Sequence, residues 1–77
     1  MARYTVLLSP AEAGGYVAMV PMFTLVSEGD TVEHALEMAR EAIELRVEAM
    51  IRDGDVVLEG ETAPIVAAVD VAIPVPA

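Results

Sequence analysis

The sequence contains no cysteine, lysine, asparagine, glutamine or tryptophan, and it has a single histidine. Without cysteine there is neither a disulfide framework nor a thiolate metal site. One histidine also excludes most zinc sites, which draw their ligands from several histidines and cysteines. We therefore expect neither a metal ion nor a cofactor in this protein.

Long hydrophobic runs are also missing. No apolar stretch approaches the roughly 20 residues that span a bilayer, and the first residues lack the apolar core of a signal peptide. The sequence therefore predicts a cytoplasmic protein without membrane contact. We expect one domain over residues 1–77, and the 56% hydrophobic content excludes a disordered tail. Because so short a chain buries a small core, we expect homo-oligomers, either dimers or tetramers.

Positive charge is scarce, because 13 acidic residues face four arginines and the net charge is −9. Binding to a phosphate backbone depends on basic side chains that displace counterions. We therefore expect no direct nucleic-acid binding by this chain. A surface of this sign suits a basic protein partner, although the same charge would also keep a small apolar protein in solution.

One long helix is predicted within residues 29–54, where local signals mark both of its ends. Asp30 and Thr31 can each offer a side-chain oxygen to the free amides of the first turn, and Glu33 completes a capping box with Asp30. Gly54 is able to take the left-handed conformation that ends many helices. A helix of about 21 residues between these signals is about 31 Å long.

The outer face of the predicted helix is strongly acidic. Its glutamates recur at spacings of three and four residues, which places them on one side of the helix. The candidate partner-facing residues are Glu33, Glu37, Glu41 and Glu44. Two interpretations stay open: these carboxylates are simply solvated, or their negative field attracts a basic partner.

The inner, apolar arc of the helix spans about 200°, which is wider than the roughly 100° stripe that one sheet covers. This excess predicts contact with another subunit, and the candidate interface residues are Met38, Leu45 and Arg46. Arg46 interrupts the arc, and two roles stay open for it. Either its stem packs on the sheet while its head extends into solvent or pairs with Asp70 or Glu59, or it pairs with a carboxylate of a neighbouring subunit.

Four stretches have β-strand character: residues 3–9, 16–20, 23–27 and 65–73. Gly14 and Gly15 predict a hairpin between the first two, and residues 59–64 form a polar connection before the last. The order β-β-β-α-β indicates an α+β fold, a two-layer sandwich in which a three- or four-stranded, mostly antiparallel sheet packs on one long helix. The second face of the sheet stays uncovered.

No catalytic arrangement is visible in the sequence. Ser9 precedes a turn proline and Ser27 ends a predicted strand, so neither lies in the setting of a nucleophile. His34 is interpreted as an ordinary surface residue, and the helix carboxylates lie on a solvated face without converging. We therefore expect a non-enzymatic protein with no catalytic residues.

Several motifs occur together in a fixed order. They are YTVLL at 4–8, GGYV at 14–17, VP at 20–21, SEGDTVEHAL at 27–36 and AREAIE at 39–44. This ordered set resembles the HicB-like antitoxin family, over roughly residues 4–55. The resemblance implies a partial ribonuclease-H-like domain of order β-β-β-α-β. It also implies that the protein neutralises a small, basic, mRNA-cleaving HicA-like toxin by masking it.

The chain departs from the family pattern in three places. A family segment of the Leu-Pro-Gly-Cys type is replaced by residues 22–26, and Arg46 stands where an apolar or aromatic residue is expected. The chain ends at Ala77, so we expect no separate C-terminal DNA-binding domain, which many members of the family carry. An antitoxin-type protein is our leading hypothesis. The alternative is an orphan homo-oligomeric scaffold or small-ligand-binding module without a toxin.

Overall fold

Over the part of the chain that the structure describes, three antiparallel strands are followed by one long helix. The computed structural model describes residues 2–57 and 64–76. Its elements are β1 (Leu7–Pro10), β2 (Tyr16–Val20), a 3₁₀ turn (Pro21–Phe23), β3 (Leu25–Gly29) and α1 (Val32–Arg52). The strands are ordered β1-β2-β3, and α1 packs mainly on β3 and β2. The predicted α+β class and the packing of one helix on an antiparallel sheet are confirmed.

The hairpin between β1 and β2 turns on the two glycines that the sequence marked. Gly14 and Gly15 have φ angles of +99° and +76°, in the region that side chains disfavour. The Ala11 amide donates to the Gly15 carbonyl at 3.0 Å, and the Gly14 amide donates to the Ala11 carbonyl at 3.1 Å. These bonds close the turn directly after Pro10. The strand β1 covers Leu7–Pro10, so it begins and ends later than the predicted 3–9.

The connection from β2 to β3 shifts the third strand relative to the prediction. Pro21 fits the first position of a 3₁₀ turn, because its fixed φ suits a helical start and its missing amide is not needed there. Thr24 ends this turn in the left-handed region, at φ +54°. The strand therefore starts at Leu25 rather than at residue 23, and it runs on to Gly29.

The C-terminal end of α1 has the hydrogen bonds of a Schellman motif. The Gly54 amide donates to the Ile51 carbonyl at 3.1 Å, and the Asp55 amide donates to the Met50 carbonyl at 2.8 Å. Gly54 has φ +77°, which confirms the predicted stop. The helix has 21 residues and is about 31 Å long, whereas a five-residue strand spans about 17 Å. The last turns of α1 therefore extend beyond the end of the sheet.

The core between helix and sheet is small and consists mostly of alanine. Among the described residues, four are fully buried: Ala18, Val20, Ala35 and Ala39. Half-buried apolar side chains surround them, namely Tyr4, Val6, Tyr16, Phe23, Leu25 and Ile43. The rings of Tyr4 and Phe23 lie 5.1 Å apart in a tilted arrangement. Alanines on both layers let the helix axis approach the sheet closely, but they bury little apolar surface per residue.

The opposite face of the sheet carries apolar side chains and no covering layer among the described residues. Leu7 pairs with Met19, and Met19 pairs with Val26, so these three side chains form one row across the strands. Met19 is 40% exposed and Val26 is 65% exposed. The expectation of an uncovered second face therefore holds in this structure.

The predicted last strand over residues 65–73 does not form. Residues 64–76 have neither strand nor helix assignment, and every one of them is exposed. A strand needs an adjacent strand to satisfy its amides and carbonyls, and this segment lies beside none of the three. The predicted polar connection over 59–64 lies outside the described residues except for Pro64.

Gly29 is the point at which helix and sheet touch most closely. A Cβ atom at this position would collide with the backbone of His34 and Ala35. We predict that Gly29→Ala lowers the free energy of unfolding by at least about 2 kcal/mol, because a backbone clash is not relieved by rotation of a side chain. Gly54→Ala is the control, since its Cβ would meet no atom within 4 Å and the cost there comes from its positive φ alone. It should cost about 1 kcal/mol.

Urea unfolding of both variants measures this difference. A loss at Gly29 no larger than the loss at Gly54 would contradict the prediction, and would show that the helix moves away from the sheet and relieves the clash.

The hydroxyl of Ser27 is buried on the helix side of the sheet, and among the described residues it has no hydrogen-bond partner. An unsatisfied buried hydroxyl is unfavourable because it has lost its hydrogen bonds to water. We predict that Ser27→Ala raises the free energy of unfolding by about 0.5–1 kcal/mol. Thermal or urea denaturation measures the change. A destabilised variant would mean that the hydroxyl has a partner.

Candidate functional site

The acidic face of α1 is formed by the glutamates that the sequence placed there. Each of the candidate partner-facing residues Glu33, Glu37, Glu41 and Glu44 is exposed. Their regular spacing on a continuous helix fixes them along one side, so their charges act together on an approaching partner. The structure thus groups these carboxylates, while their role as a binding surface stays a prediction.

An open depression lies in the middle of this acidic face. Its volume is about 390 Å³, and it is lined by Glu37, Glu41, Glu44 and Leu45. The Leu45 side chain is 66% exposed, so it offers an apolar surface beside three carboxylates. This combination matches the chemistry of a lysine or arginine side chain, which has an apolar stem and a cationic head. Sequence periodicity located the carboxylates but gave no sign of the depression.

The candidate interface residues do not share one environment. Met38 is half-buried, whereas Leu45 and Arg46 are exposed. Exposed apolar side chains elsewhere on the helix include Leu36 at 41% and Ile51 at 66%. The helix therefore leaves apolar surface free on both flanks of its buried stripe. The assignment of these residues to a subunit interface stays a prediction.

Arg46 reaches back to the 3₁₀ turn that precedes β3. Its Nη1 donates to the carbonyl oxygen of Phe23 at 3.4 Å, and the side chain remains exposed. The structure thus favours a stem laid along the molecule with a solvated head. The described residues show no ion pair between Arg46 and Asp70, and Glu59 lies outside them. At 3.4 Å the bond to Phe23 is long and contributes little.

A second open depression, of about 230 Å³, lies at the N-terminal end of α1. It is lined by Gly14, Glu28, Gly29, Asp30 and His34. Two carboxylates at its rim oppose the binding of anions, despite the favourable dipole of the helix start. Across residues 2–57 and 64–76, no three histidine, aspartate or glutamate side chains form a group that could hold a metal ion.

The helix start uses a different cap from the one that the capping box predicted. Thr31 is the N-cap, and its hydroxyl accepts a hydrogen bond from the His34 amide at 3.0 Å. The Asp30 amide in turn donates to Nδ1 of His34 at 3.1 Å. His34, rather than Glu33, therefore supplies the side-chain acceptor at the helix start, and it bonds the amide of the residue before the cap. Both hydrogen bonds orient the chain between β3 and α1.

Arg52 is the arginine nearest the C-terminal end of the acidic face. It contacts its neighbour Asp53 at 3.9 Å, and both side chains are largely exposed, so the pair adds little stability.

None of the described helices combines the length and the apolar character that a bilayer crossing demands.

Comparison with known proteins gives two matches. The sequence pattern of the HicB-like antitoxin of bacterial toxin–antitoxin systems matches residues 4–72. A UPF0150 protein from Synechocystis sp. is 47% identical over 52 residues. That alignment covers 66% of this chain and 66% of the relative, so the chain spans just under two thirds of that protein's length. No solved structure matches the chain.

The cap assignment can be tested with two adjacent substitutions. Thr31→Ala removes the acceptor of the His34 amide, and we predict a loss of about 1 kcal/mol in the free energy of unfolding. Asp30→Ala should cost less than about 0.5 kcal/mol, because only its backbone amide is bonded. Urea denaturation of both variants provides the measurement. A larger loss for Asp30→Ala than for Thr31→Ala would show that Asp30 is the cap.

Proposed function

The chain belongs to the HicB-like antitoxin family, and from this premise we propose that it is a non-enzymatic antitoxin. It binds a small, basic, mRNA-cleaving HicA-like toxin in the cytoplasm and masks the toxin's active surface. The observation that carries the proposal is the family match over residues 4–72, which includes all three strands and the helix. The family membership is shown, and what we propose is that the partner is such a toxin and that its active surface is masked.

Charge complementarity supports a basic partner. The chain has a net charge of −9, and the exposed carboxylates of Glu37, Glu41 and Glu44 lie together on α1. Opposite charges steer two proteins together and accelerate their encounter, and this effect weakens as salt screens the field. We therefore assign the acidic face of α1 as the toxin-binding surface.

The depression beside Leu45 gives this surface a specific contact. A lysine or arginine of the toxin would lay its methylene stem on Leu45 and place its cationic head among the carboxylates of Glu37, Glu41 and Glu44. Burying the stem adds apolar contact to the ionic attraction, and such anchored side chains dominate many interfaces. Masking then follows from position, because a toxin held by its basic residues loses the surface that binds RNA phosphates.

Self-association is the second part of the proposal, in the form of a homo-oligomer. Support comes from the four-residue core, which is small for an independent domain, and from the apolar surface left in contact with water. The exposed apolar side chains of the described domain include Met19, Val26, Leu45 and Ile51. Association of two copies would remove part of this surface from water.

Charge reversal on the helix tests the toxin-binding surface. We predict that Glu37→Lys and Glu41→Lys each weaken binding of a purified basic HicA-like toxin by about tenfold, because an attraction becomes a repulsion. Glu12→Lys is the matched control: Glu12 is an exposed glutamate of the β1–β2 turn, and the substitution changes the net charge equally. It should weaken binding less than about threefold at physiological salt.

Isothermal titration calorimetry at two salt concentrations provides the affinities. Equal losses for Glu12→Lys and Glu41→Lys would show that net charge, rather than the helix face, drives binding. A pull-down from the native host that recovers no basic ribonuclease would support the orphan scaffold instead. Cleavage of RNA by the purified chain would contradict the non-enzymatic assignment.

A further inference from the structure

The open face of the sheet is the side of β1, β2 and β3 that points away from α1. Successive residues of a strand lie on opposite sides of a sheet. Because Ala18 and Val20 of β2 are buried against α1, the positions between them lie on the open face. Two rows of paired residues cross this face: Leu7, Met19 and Val26 form one row, and Ser9, Val17 and Glu28 form the other.

The apolar row at the centre of the open face is in contact with water. Met19 is 40% exposed and Val26 is 65% exposed, and the paired residue Leu7 lies beside Met19 on β1. Apolar side chains that are contiguous on a surface, rather than scattered, mark a site of interaction. The open face therefore has the character of an interface, and its charges indicate what covers it.

Charge separates the sheet from the rest of the molecule. The chain carries a net charge of −9, so two copies repel each other at most orientations. The three strands and residues 3–6, which lead into β1, contain two charged residues, Arg3 and Glu28. Their charges cancel. The open face is thus the surface on which two acidic copies approach each other with the least repulsion.

These two charged residues lie at opposite corners of the open face. Arg3 is in a β-bridge and precedes Tyr4, which packs against the core, so alternation places Arg3 on the open side. It lies six residues before Ser9, which is roughly 20 Å along an extended chain. Glu28 belongs to the row of Ser9, but on the other edge strand, β3. Neither forms an ion pair within the described residues.

Opposite charges at opposite corners make this face complementary to itself. In a two-fold dimer, a residue that contacts a second residue across the interface is matched by the reverse contact. When two open faces meet in this way, Arg3 of each copy lies opposite Glu28 of the other. The axis then passes midway between the corners, close to Met19 of the central strand. Two ion pairs therefore flank an apolar centre.

Other occupants do not match this distribution of charge. Residues 64–76 of the same chain contain one carboxylate, Asp70, and no basic residue, so they have no partner for Glu28. A basic partner would pair with Glu28 but would meet Arg3 with like charge. A second copy provides both opposite charges at the required corners.

The size of the face indicates how tight such a dimer is. Three strands at roughly 4.8 Å spacing and about seven residues in length give a face of roughly 14 Å by 20 Å. Two such corrugated faces bury on the order of 1,000 Å² together, which is the range of weak, reversible complexes. We therefore expect a dimer that dissociates on dilution.

We propose that two copies pack open face against open face as a two-fold dimer, with Arg3 of each copy paired to Glu28 of the other around Met19. This inference rests on the proposed self-association and names its surface. The acidic face of α1 lies on the other layer of each copy and stays accessible. Toxin binding is thus a separate property.

A charge exchange tests the paired corners. Arg3→Glu and Glu28→Arg each turn two attractions into two repulsions, so each should raise the dimer dissociation constant about tenfold. The double variant Arg3→Glu/Glu28→Arg restores both pairs with the charges exchanged, and its dissociation constant should lie within threefold of the unaltered protein. Sedimentation equilibrium measures all of them. A double variant as weak as the single variants would overturn the proposal.

The single variants also separate the ion pairs from net charge. Glu28→Arg lowers the net negative charge of each copy, so net charge alone predicts a tighter dimer, whereas the proposal predicts a weaker one. Arg40→Glu, on the exposed surface of α1, is the matched control for Arg3→Glu because it changes the net charge equally. It should alter the constant less than threefold. A tighter Glu28→Arg dimer, or equal losses for Arg3→Glu and Arg40→Glu, would overturn the proposal.

Two apolar residues of equal exposure test the centre of the face. Val26 is 65% exposed on the open face, and Ile51 is 66% exposed near the end of α1. We expect Val26→Glu to raise the dissociation constant at least tenfold and Ile51→Glu to change it less than threefold. Circular dichroism shows whether each variant keeps its fold. The reverse order would place the interface on the helix and overturn the proposal, yet leave self-association standing.

Crosslinking tests the position of the two-fold axis. The chain has no cysteine, so a single introduced thiol reacts alone. Packed sheets lie about 10 Å apart, which brings two Met19→Cys thiols within reach of a short bismaleimide. Mass spectrometry should show covalent dimers for Met19→Cys and none for the control Ile51→Cys. Crosslinking at Ile51→Cys alone would overturn the proposal. A monomer at every concentration would refute both the proposal and self-association, and toxin binding would still be judged by calorimetry.

Discussion

The contact between the start of α1 and the end of β3 is the constraint on which the rest of this structure depends. Gly29 has no side chain, so the backbone of His34 and Ala35 lies directly against the strand. Ala35 and Ala39 continue the close approach along the helix, above Ala18 of β2. This contact sets both the height and the rotation of α1 above the sheet. The direction in which every other helix side chain points follows from it.

A helix seated on alanines leaves its larger apolar side chains at the flanks. Leu36, Leu45 and Ile51 are all partly or largely exposed, although a wider sheet would have covered them. Leu45 comes to lie beside the glutamates of the outer face for the same reason. The surface that combines acidic and apolar character is thus a product of tight helix packing.

The sequence predicted those features of the fold that depend on neighbouring residues along the chain. The ends of α1 and the hairpin glycines are local signals, and both were predicted correctly. The shift of β3 was not, because the left-handed turn at Thr24 has no glycine or asparagine to mark it. Thr31 and Asp30 are equally good caps by residue type. Which of them caps the helix depends on how α1 is rotated against the sheet. Pairing of a strand is nonlocal, and the period of two in residues 65–73 predicted a strand that does not form in this structure. The exposed glutamates followed from periodicity, whereas the depression beside Leu45 needed the fold.

The alanine-rich core also determines how this protein responds to temperature. The heat-capacity change of unfolding comes mainly from apolar surface that becomes hydrated, and four small buried residues supply little of it. The stability curve of a single copy is therefore shallow, with a broad melting transition and a weak dependence on urea. Each surface that a second molecule covers adds to that heat capacity. A single copy is therefore expected to lose its structure gradually on heating.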